Sequence, residues 1–320
     1  MDRKAFIEML NKDLADEHAS IVRYLIHAYQ VGESTSFGQM LLSTAREEMW
    51  HMDWPGDELG EMGEEPLMKQ GVYPHDPTSN ASLLRSYIDW EANLIKVYED
   101  QAAQVADREL KRILQQLGWE SITHLRRFES WLERLGPEGE KPFEPEEGDL
   151  SGDLMRRFHK EVDAQYKLVL QHLRHAFVLE GQNCPVSSEL ELTAMRHMKH
   201  LSHFAEELIE GGEEIPFDYP GVDMSSSPKE ALEADLTLTE EARDRFILLT
   251  QEPELTEHPD LKVEIEALVT RTGLLSTVVR ELMEEVGEED QVEPDAKARP
   301  VDDVTKSAAA GLTVGSLKGN

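Results

Sequence analysis

Glutamate and histidine residues recur at helical spacing along the first half of the chain, each within a run of apolar residues. Glu17 follows Leu10 and Leu14 at intervals that place the three on one side of a helix. Glu48 and His51 lie three residues apart, so their side chains point the same way on a helix. Carboxylates and imidazoles arranged in this way bind metal ions inside helical proteins. The complete set, in chain order, is Glu17, Glu48, His51, Glu91, Glu120 and His124.

This set has the composition of a site for two iron or manganese ions bridged by carboxylates. Anionic oxygens balance the charge of two divalent ions, and one imidazole is available for each ion. Most glutamates of so acidic a chain must lie on the surface, so a single Glu-x-x-His match carries little weight. The prediction of two bound iron ions, with manganese as the alternative, rests on the order of these glutamates and histidines over four apolar segments.

The segments that position these residues have the apolar periodicity of helices, whereas strand-like alternation is scarce. Stretches containing glycine and proline separate the segments. We predict an all-α fold of two tandem four-helix bundles, residues 1–137 and 152–287, joined by a linker at 138–151. The periodic segments are 6–28, 37–59, 81–105, 107–135, 152–180, 187–211, 228–250 and 259–287.

The two halves of the chain match each other at a nearly constant offset. A chance match would not keep similar offsets in three separate segments, so the sequence favours a duplication. The matched stretches are 10–28 with 158–176, 45–65 with 194–214, and 110–136 with 261–287, at offsets of 148, 149 and 151.

The second half lacks most of the acidic groups of the first. Because Arg271, a cation at every accessible pH, stands where the first half has an acid, we expect no dimetal site there. The matches are Gln165 for Glu17, His197 for Glu48, His200 for His51, Glu240 or Glu241 for Glu91, Arg271 for Glu120, and Leu275 for His124.

A structural role for the second half follows, with a buried Arg271 paired to Glu240 or Glu241. The alternative is a mononuclear metal site, because histidines that recur every third residue cover one side of a helix. That site would use His197, His200 and His203.

The composition limits the classes of partner. The chain has 32 Lys and Arg against 65 Asp and Glu, a formal charge of −33, which argues against nucleic acid and anionic membranes as partners. Its single cysteine, Cys184, cannot form an internal disulfide, and no apolar run is long enough to span a bilayer. We therefore expect a cytoplasmic protein that does not enter the membrane.

Residues 1–137 resemble the ferritin-like superfamily, and bacterioferritin most closely. The resemblance lies in Leu10-Asn11-x2-Leu14-x2-Glu17-x6-Tyr24-x2-His27-Ala28 and in Glu48-Met49-x-His51-Met52. It implies a di-iron ferroxidase centre with the six ligands given above, and Tyr24 as a hydrogen-bonding or electron-donating neighbour. The chain departs from the family at Ser121, where the fourth helix should carry the acid of a Glu-x-x-His pair. Glu120 shares a face with His124, or a local helix bulge re-aims it.

Met49 and Met198 occupy equivalent positions in the two halves. In bacterioferritin the matching methionine is a haem ligand at a two-fold interface. Because methionine on a helix usually serves packing, we expect packing here rather than haem.

The C-terminal residues form two compositional segments. Residues 288–311 are acidic and poor in large apolar residues, so we predict a disordered linker. Residues 312–320 then present Leu312, Val314, Gly315 and Leu317, which suit a short docking peptide on a tether. The segment resembles the cargo-loading peptide of encapsulin systems, which implies an encapsulin shell protein as partner and a location inside a nanocompartment.

Together these features predict an encapsulated enzyme that oxidises Fe(II) with O2 or H2O2 and releases Fe(III) for storage. A di-iron peroxidase or oxidase in oxidative-stress defence is one alternative, and a non-enzymatic iron-binding adaptor is another. The sequence leaves open whether the chain forms a homo-oligomer. It also leaves open whether the second half pairs with the first half of its own chain or of another.

Overall fold

The computed structural model describes residues 2–143 and 150–289, and within these ranges it is all-helical, as predicted. The described residues contain no β-strand, and none of their helices is long and apolar enough to cross a membrane. A short 3-10 helix at Pro253–Thr256 precedes the last α-helix. The α-helices are α1 (Arg3–Val31), α2 (Ser36–Glu61), α3 (Asn80–Gln104), α4 (Arg108–Gly139), α5 (Gly152–Glu180), α6 (Cys184–Glu210), α7 (Pro228–Leu249) and α8 (Pro259–Glu289).

Short polar side chains fix where the helices begin. The residue before each of α1 to α7 accepts a hydrogen bond from a backbone N–H of the first turn, which would otherwise lack a partner. Near its C-terminus α4 is broken at Gly136, whose φ of 51° is left-handed. The seven capping residues are Asp2, Thr35, Ser79, Asp107, Ser151, Asn183 and Ser227.

Each helix packs most extensively against its neighbour in the chain, giving the pairs α1–α2, α3–α4, α5–α6 and α7–α8. The two halves then meet within one chain, where α1 packs on α6 and α2 packs on α5. One apolar core extends across both halves, from Leu10 and Leu14 to Phe158 and Leu268. The pairing that the sequence left open therefore occurs inside a single chain.

The contact between the halves has the character of a two-fold relation. His18 and Tyr166 are equivalent at the offset of 148, and they touch each other, with 2.9 Å between His18 Nε2 and the Tyr166 hydroxyl. Self-contact of equivalent positions is what a two-fold axis produces. The turns that end α2 and α6 are also alike. The backbone N–H of Glu64 donates to the Leu59 carbonyl, and the backbone N–H of Glu213 donates to the Leu208 carbonyl, both at 2.9 Å.

Two further contacts hold α5 against the first half. Gly60 lets α2 approach α5 so closely that a Cβ at this position would lie 1.7 Å from the Phe177 carbonyl oxygen. Arg174 is fully buried, and its guanidinium forms two hydrogen bonds of 2.7 Å to the carboxylate of Glu65. A bidentate pair of this kind fixes orientation as well as distance.

Several predicted segments lie partly or wholly outside the described residues. The predicted linker at 138–151 overlaps the end of α4, contains the whole of 144–149, which is outside the described residues, and ends at the residue that caps α5. The predicted disordered stretch at 288–311 and the predicted peptide at 312–320 lie outside, except for residues 288 and 289, which belong to α8.

Candidate metal centre

Five of the six predicted ligands meet in the interior between α1, α2, α3 and α4. Each lies on the buried side of its helix, and none is more than 3% exposed. The three-residue spacing on α2 directs its acid and its imidazole into the same space, as the sequence indicated. These five residues are Glu17 on α1, Glu48 and His51 on α2, Glu91 on α3, and His124 on α4.

Glu48 lies between the two histidines. Its Oε2 is 2.6 Å from His51 Nδ1, and its Oε1 is 3.0 Å from His124 Nδ1. One ligand atom from each of these three residues lies within 4.8 Å of the others, so the group could hold a metal ion. A carboxylate that presents one oxygen to each of two imidazoles has the placement of a bridge between two ion positions.

Glu17 and Glu91 flank this group on opposite sides. Glu17 Oε2 lies 4.0 Å from His51 Nδ1, and Glu91 Oε1 lies 3.5 Å from His124 Nδ1. The cluster therefore divides into a Glu17–His51 side and a Glu91–His124 side, with Glu48 shared between them.

Many polar atoms of this cluster are buried with no well-aligned hydrogen bond, and the Glu48 oxygens and the two Nδ1 atoms face only one another, as ion pairs. Leaving buried polar atoms unsatisfied costs about 1–3 kcal/mol each, which is why native proteins seldom tolerate them in groups. The carboxylate oxygens and imidazole nitrogens converge on the shared interior, so a cation bound there would satisfy them together. The atoms are Glu17 Oε2, both oxygens of Glu48, His51 Nδ1, Glu91 Oε2, Ser121 Oγ and His124 Nδ1.

Without a bound cation, burial and the neighbouring charges keep several groups of the cluster protonated. Burial raises the pKa of Glu17 well above its ordinary value, and burial together with the charge of Glu48 raises the pKa of Glu91 to about 7. Burial acts against ionisation of Glu48 and both histidines, but their mutual attraction outweighs it. The pKa of Glu48 is therefore lowered, that of His51 is raised to about 10, and that of His124 is raised further. A metal ion that binds here displaces these protons.

Glu120, the sixth predicted ligand, lies on the outer side of His51 rather than in the shared interior. Its Oε2 is 2.7 Å from His51 Nε2, the nitrogen that points away from Glu48, and its side chain is 32% exposed. The hydrogen bond to His51 lowers the pKa of Glu120, so this acid is ionised and orients the ring.

Glu47 orients the ring of His124 in the same way, although this residue was not predicted. Glu47 Oε2 lies 2.9 Å from His124 Nε2, and Arg127 holds the other oxygen at 3.0 Å. The signal was present, because Glu47 precedes His51 by four residues just as Glu120 precedes His124. The acid at this spacing on each helix thus serves the histidine of the other helix.

Ser121 occupies the position where a fourth carboxylate would complete a Glu-x-x-His pair on α4. It is 1% exposed, and its hydroxyl is one of the unpartnered atoms of the interior. No bulge re-aims Glu120 into this space. The serine therefore supplies a neutral hydroxyl, rather than a carboxylate, among the buried residues of α4.

Tyrosines hold the two flanking carboxylates. Tyr24 faces the cluster, as the sequence suggested, and its hydroxyl donates to Glu91 Oε1 at 2.8 Å. The Tyr98 hydroxyl donates to Glu17 Oε1. Tyr73, from the connection between α2 and α3, lies 3.3 Å from Tyr24 between hydroxyl oxygens. Tyr98 and Tyr73 were not predicted.

The positions of the second half that correspond to the cluster carry neutral side chains, and the buried acid beside them, Asp235, is bonded to Gln171 and His175. Burial lowers the pKa of His197 well below its ordinary value and that of His200 to about 3, so both rings are uncharged. The buried residue of α7 in this space is Thr239 rather than either predicted glutamate. The interior positions are Gln165, His197, His200, Thr239, Thr272 and Leu275.

Two expectations for the second half were wrong. Arg271 is exposed rather than buried, and Glu240 pairs with Arg280 instead. Glu240 and Glu241 point outward because Thr239 is the buried residue of this turn of α7. Arg271 points outward because Thr272 and Leu275 are buried residues of α8. The three histidines of the alternative mononuclear site do not converge either, because the His203 side chain is 31% exposed and lies 3.6 Å from Glu264.

The remaining predicted residues lie away from this centre or outside the described range. Met49 is partly buried against the apolar core, and Met198 is partly buried on α6. The predicted docking residues Leu312, Val314, Gly315 and Leu317 lie outside the described residues.

No protein-family model, curated protein or solved structure compared with this chain matches it. Conclusions about its chemistry therefore depend on the geometry of the site.

Proposed function

We propose that the chain is a ferritin-like ferroxidase, in which α1–α4 and α5–α8 form two tandem four-helix bundles and only the first binds iron. The observation that carries this proposal is the placement of Glu48, fully buried, with one oxygen toward each of two buried imidazoles. The two flanking carboxylates, Glu17 and Glu91, complete a set of donors for two ions.

The donor atoms of this interior have the chemistry that two divalent ions require. The unpartnered carboxylate oxygens and imidazole nitrogens are the ligands that iron and manganese accept in proteins. Glu17 and His51 would hold one Fe(II), Glu91 and His124 would hold the other, and Glu48 would contact both. With Fe(II) as substrate, two ions give one electron each to O2, which takes up two protons and becomes H2O2.

The residues around the donors have separate tasks in this proposal. Glu120 and Glu47 fix the two imidazoles with Nδ1 directed inward, and Arg127 anchors Glu47. Tyr24 and Tyr98 hold Glu91 and Glu17 by hydrogen bonds, so each carboxylate keeps one oxygen free for the ion. Metal binding displaces protons from the cluster, and these protons can be taken up when O2 is reduced to H2O2.

The second bundle has a structural role in this proposal. Its interior offers neutral side chains where the first has Glu17, Glu48 and Glu91, and its one buried acid nearby, Asp235, is already bonded to Gln171 and His175, so it has too little negative charge for two divalent ions. Its contribution is to cover α1 and α2 through α6 and α5.

Iron loading and oxygen uptake test the proposed activity. Anaerobic Fe(II) titration should end at two ions per chain, and admitting O2 should then oxidise them without an organic cosubstrate. Oxidation that requires H2O2 or an organic substrate would favour the peroxidase or oxidase instead. A protein that binds no stoichiometric iron and consumes no oxidant would be an adaptor.

The proposed location inside an encapsulin shell rests on residues 312–320. Co-production of the shell protein with the full chain should give loaded particles, and deletion of these residues should give empty shells. The matched control is a change of Lys318 and Asn320 to alanine, which keeps the apolar anchors. Continued loading of the deletion variant would contradict this part of the proposal.

A further inference from the structure

A row of aromatic side chains leads from the buried cluster of the first half toward the surface. The Tyr24 hydroxyl donates to Glu91 Oε1 at 2.8 Å, and its oxygen lies 3.3 Å from the Tyr73 hydroxyl oxygen. The ring of Tyr73 packs on that of Trp90, with 4.5 Å between the ring centres and 34° between the ring planes. Trp90 is partly exposed, whereas Tyr24 and Tyr73 are buried. We name Tyr24, Tyr73 and Trp90 the aromatic row.

The polar atoms of the aromatic row are bonded as well as its rings. Trp90 donates its indole N–H to Ser20 Oγ at 2.9 Å, which fixes the ring at the outer end of the row. At the inner end, the Tyr24 hydroxyl is held by a carboxylate of the proposed iron site. Tyr87 also packs on Tyr24, with 4.8 Å between the ring centres, but Tyr87 is fully buried and offers no route to the surface. The row therefore connects the cluster to the exterior at Trp90.

The second half lacks the aromatic row together with the metal-binding acids. His172 stands in place of Tyr24 at the offset of 148. Leu238 precedes the buried Thr239 of α7, whereas on α3 it is Trp90 that precedes the buried glutamate. Both ends of the row are therefore missing from the half that lacks the cluster, so the fold of a half does not itself require them.

We propose that the aromatic row carries single electrons from the surface to the metal cluster, with Trp90 as the outer donor and Tyr73 as the intermediate. This inference rests on the proposed ferroxidase and extends it beyond Tyr24. Tyrosine and tryptophan are among the side chains that lose one electron most readily, and side chains in contact exchange electrons rapidly. Tyr24 and Tyr73 meet at their hydroxyls, and Tyr73 and Trp90 meet at their rings.

The row supplies the second electron when H2O2 reaches a cluster that holds one Fe(II). A single ferrous ion gives one electron, and H2O2 that accepts one electron splits into hydroxide and a hydroxyl radical. A second electron, from Trp90, and two protons complete the reduction to two water molecules and leave Fe(III) and a Trp90 radical cation. The Tyr24 hydroxyl proton moves to Glu91 Oε1 as Tyr24 is oxidised, and it returns when the electron from Trp90 arrives. Another Fe(II) at the surface then reduces Trp90 and becomes Fe(III).

Pulse radiolysis of the metal-free full chain tests the row itself. Azide radicals oxidise tryptophan before tyrosine, so transfer along the row appears as decay of tryptophanyl absorbance with a matching rise of tyrosyl absorbance. The wild type should show this phase at a rate independent of protein concentration, and Trp90→Phe and Tyr73→Phe should each lose it. The control Trp131→Phe should keep it, because Trp131 is a partly buried tryptophan that packs on Phe37 instead, with 5.1 Å between ring centres. A wild type without the phase, or a phase that survives in both row variants, would overturn the proposal.

Freeze-quench electron paramagnetic resonance tests the link between the row and iron. Chains loaded anaerobically with one Fe(II) and mixed with H2O2 should give a tryptophan radical signal in the wild type and in Trp131→Phe. Trp90→Phe should lose the signal and release more hydroxyl radical to a spin trap, while circular dichroism verifies that its fold is kept. A wild type that oxidises bound Fe(II) without this radical would overturn the inference and leave the ferroxidase intact. A chain that binds no iron would contradict the proposed function instead, and pulse radiolysis would still decide whether the row transfers electrons.

Discussion

At the scale of residues, Glu48 is the group on which the proposed metal binding depends. Its two oxygens are each within 3.0 Å of an imidazole nitrogen, and it is ionised because His51 and His124 outweigh its burial. Removing its charge would leave two histidines and two flanking acids that share no common ligand. The cluster should then no longer bind two ions together, although the Glu17–His51 side and the Glu91–His124 side each remain.

We therefore predict that Glu48→Gln reduces the anaerobic Fe(II) stoichiometry below two per chain and slows ferrous oxidation by at least about 100-fold, the scale on which ligand loss acts. The matched control is His197→Gln, the equivalent position of the second half, which should keep both properties. Iron analysis and stopped-flow oxidation are the measurements. Wild-type stoichiometry in Glu48→Gln would place the iron elsewhere.

Ser121 offers the opposite test, a gain of a ligand. Ser121→Glu would complete a Glu-x-x-His pair on α4 and direct a fourth carboxylate at the interior. Because this adds a buried negative charge, the metal-free variant should unfold at lower temperature than the wild type, and bound Mn(II) or Fe(II) should restore more stability than in the wild type. Thermal melts with and without metal measure both effects. A variant whose melt does not respond to metal would contradict the assigned interior.

The buried acids and histidines of this interior could be predicted because helical spacing and an apolar background identify buried polar groups. The outer acids could not be assigned in the same way. Glu47 and Glu120 each lie four residues before a histidine of their own helix, yet each bonds the histidine of the other helix. That exchange depends on how α2 and α4 pack, which the spacing within one helix does not contain.

At the scale of elements, the close approach of α2 to α5 depends on a residue without a side chain. We predict that Gly60→Ala destabilises the protein by about 1–3 kcal/mol, because its Cβ would overlap the Phe177 carbonyl. Gly118→Ala is the control, since a Cβ there meets Tyr98 at an ordinary 3.5 Å and should be neutral or stabilising by about 0.5–1 kcal/mol. Urea unfolding compares the two, and equal effects would show that the contact contributes nothing.

An acidic cluster where α2 meets the second half gives stability a pH dependence. Burial, then repulsion from Asp53, Glu191, Glu180 and Glu61, raises the pKa of Asp57 from 3.8 to about 9. A raised pKa means that the folded state holds the proton more tightly. Its contribution to stability is therefore complete below the unfolded pKa and is lost as the pH rises through about 9.

Asp57→Asn should remove this part of the pH dependence. The amide cannot ionise, so the free energy of unfolding should fall less steeply with pH than in the wild type, and at the alkaline end the variant should be the more stable protein. Denaturant unfolding across this pH range measures the slope. The control is Asp100→Asn on the exposed side of α3, which should keep the wild-type slope, and an unchanged slope for Asp57→Asn would contradict the assignment.

The eight helices could be predicted closely because apolar periodicity and the stretches containing glycine and proline mark them. The seventh was expected at 228–250 and spans Pro228–Leu249. Its register could not be predicted, since the buried position holds the neutral Thr239 and no acid distinguishes it. The same ambiguity on α8, where Thr272 and Leu275 are buried, led to the wrong placement of Arg271.

At the scale of the whole molecule, the repeat places two similar halves in one chain with different chemistry in their interiors. The halves bury α1 against α6 and α2 against α5, and equivalent residues His18 and Tyr166 meet. The offset of the repeat was readable from the sequence, but the contact was not, because it depends on small residues and polar pairs that periodicity does not distinguish. Gly60 with Phe177 and Arg174 with Glu65 are the examples.

Anomalous diffraction from crystals soaked anaerobically with Fe(II) can locate bound iron. We predict two iron peaks inside the first half, one between Glu17, Glu48 and His51 and the other between Glu48, Glu91 and His124, with no peak among the interior residues of the second half. Peaks only at surface carboxylates, or a first-half interior without iron at saturating Fe(II), would contradict it.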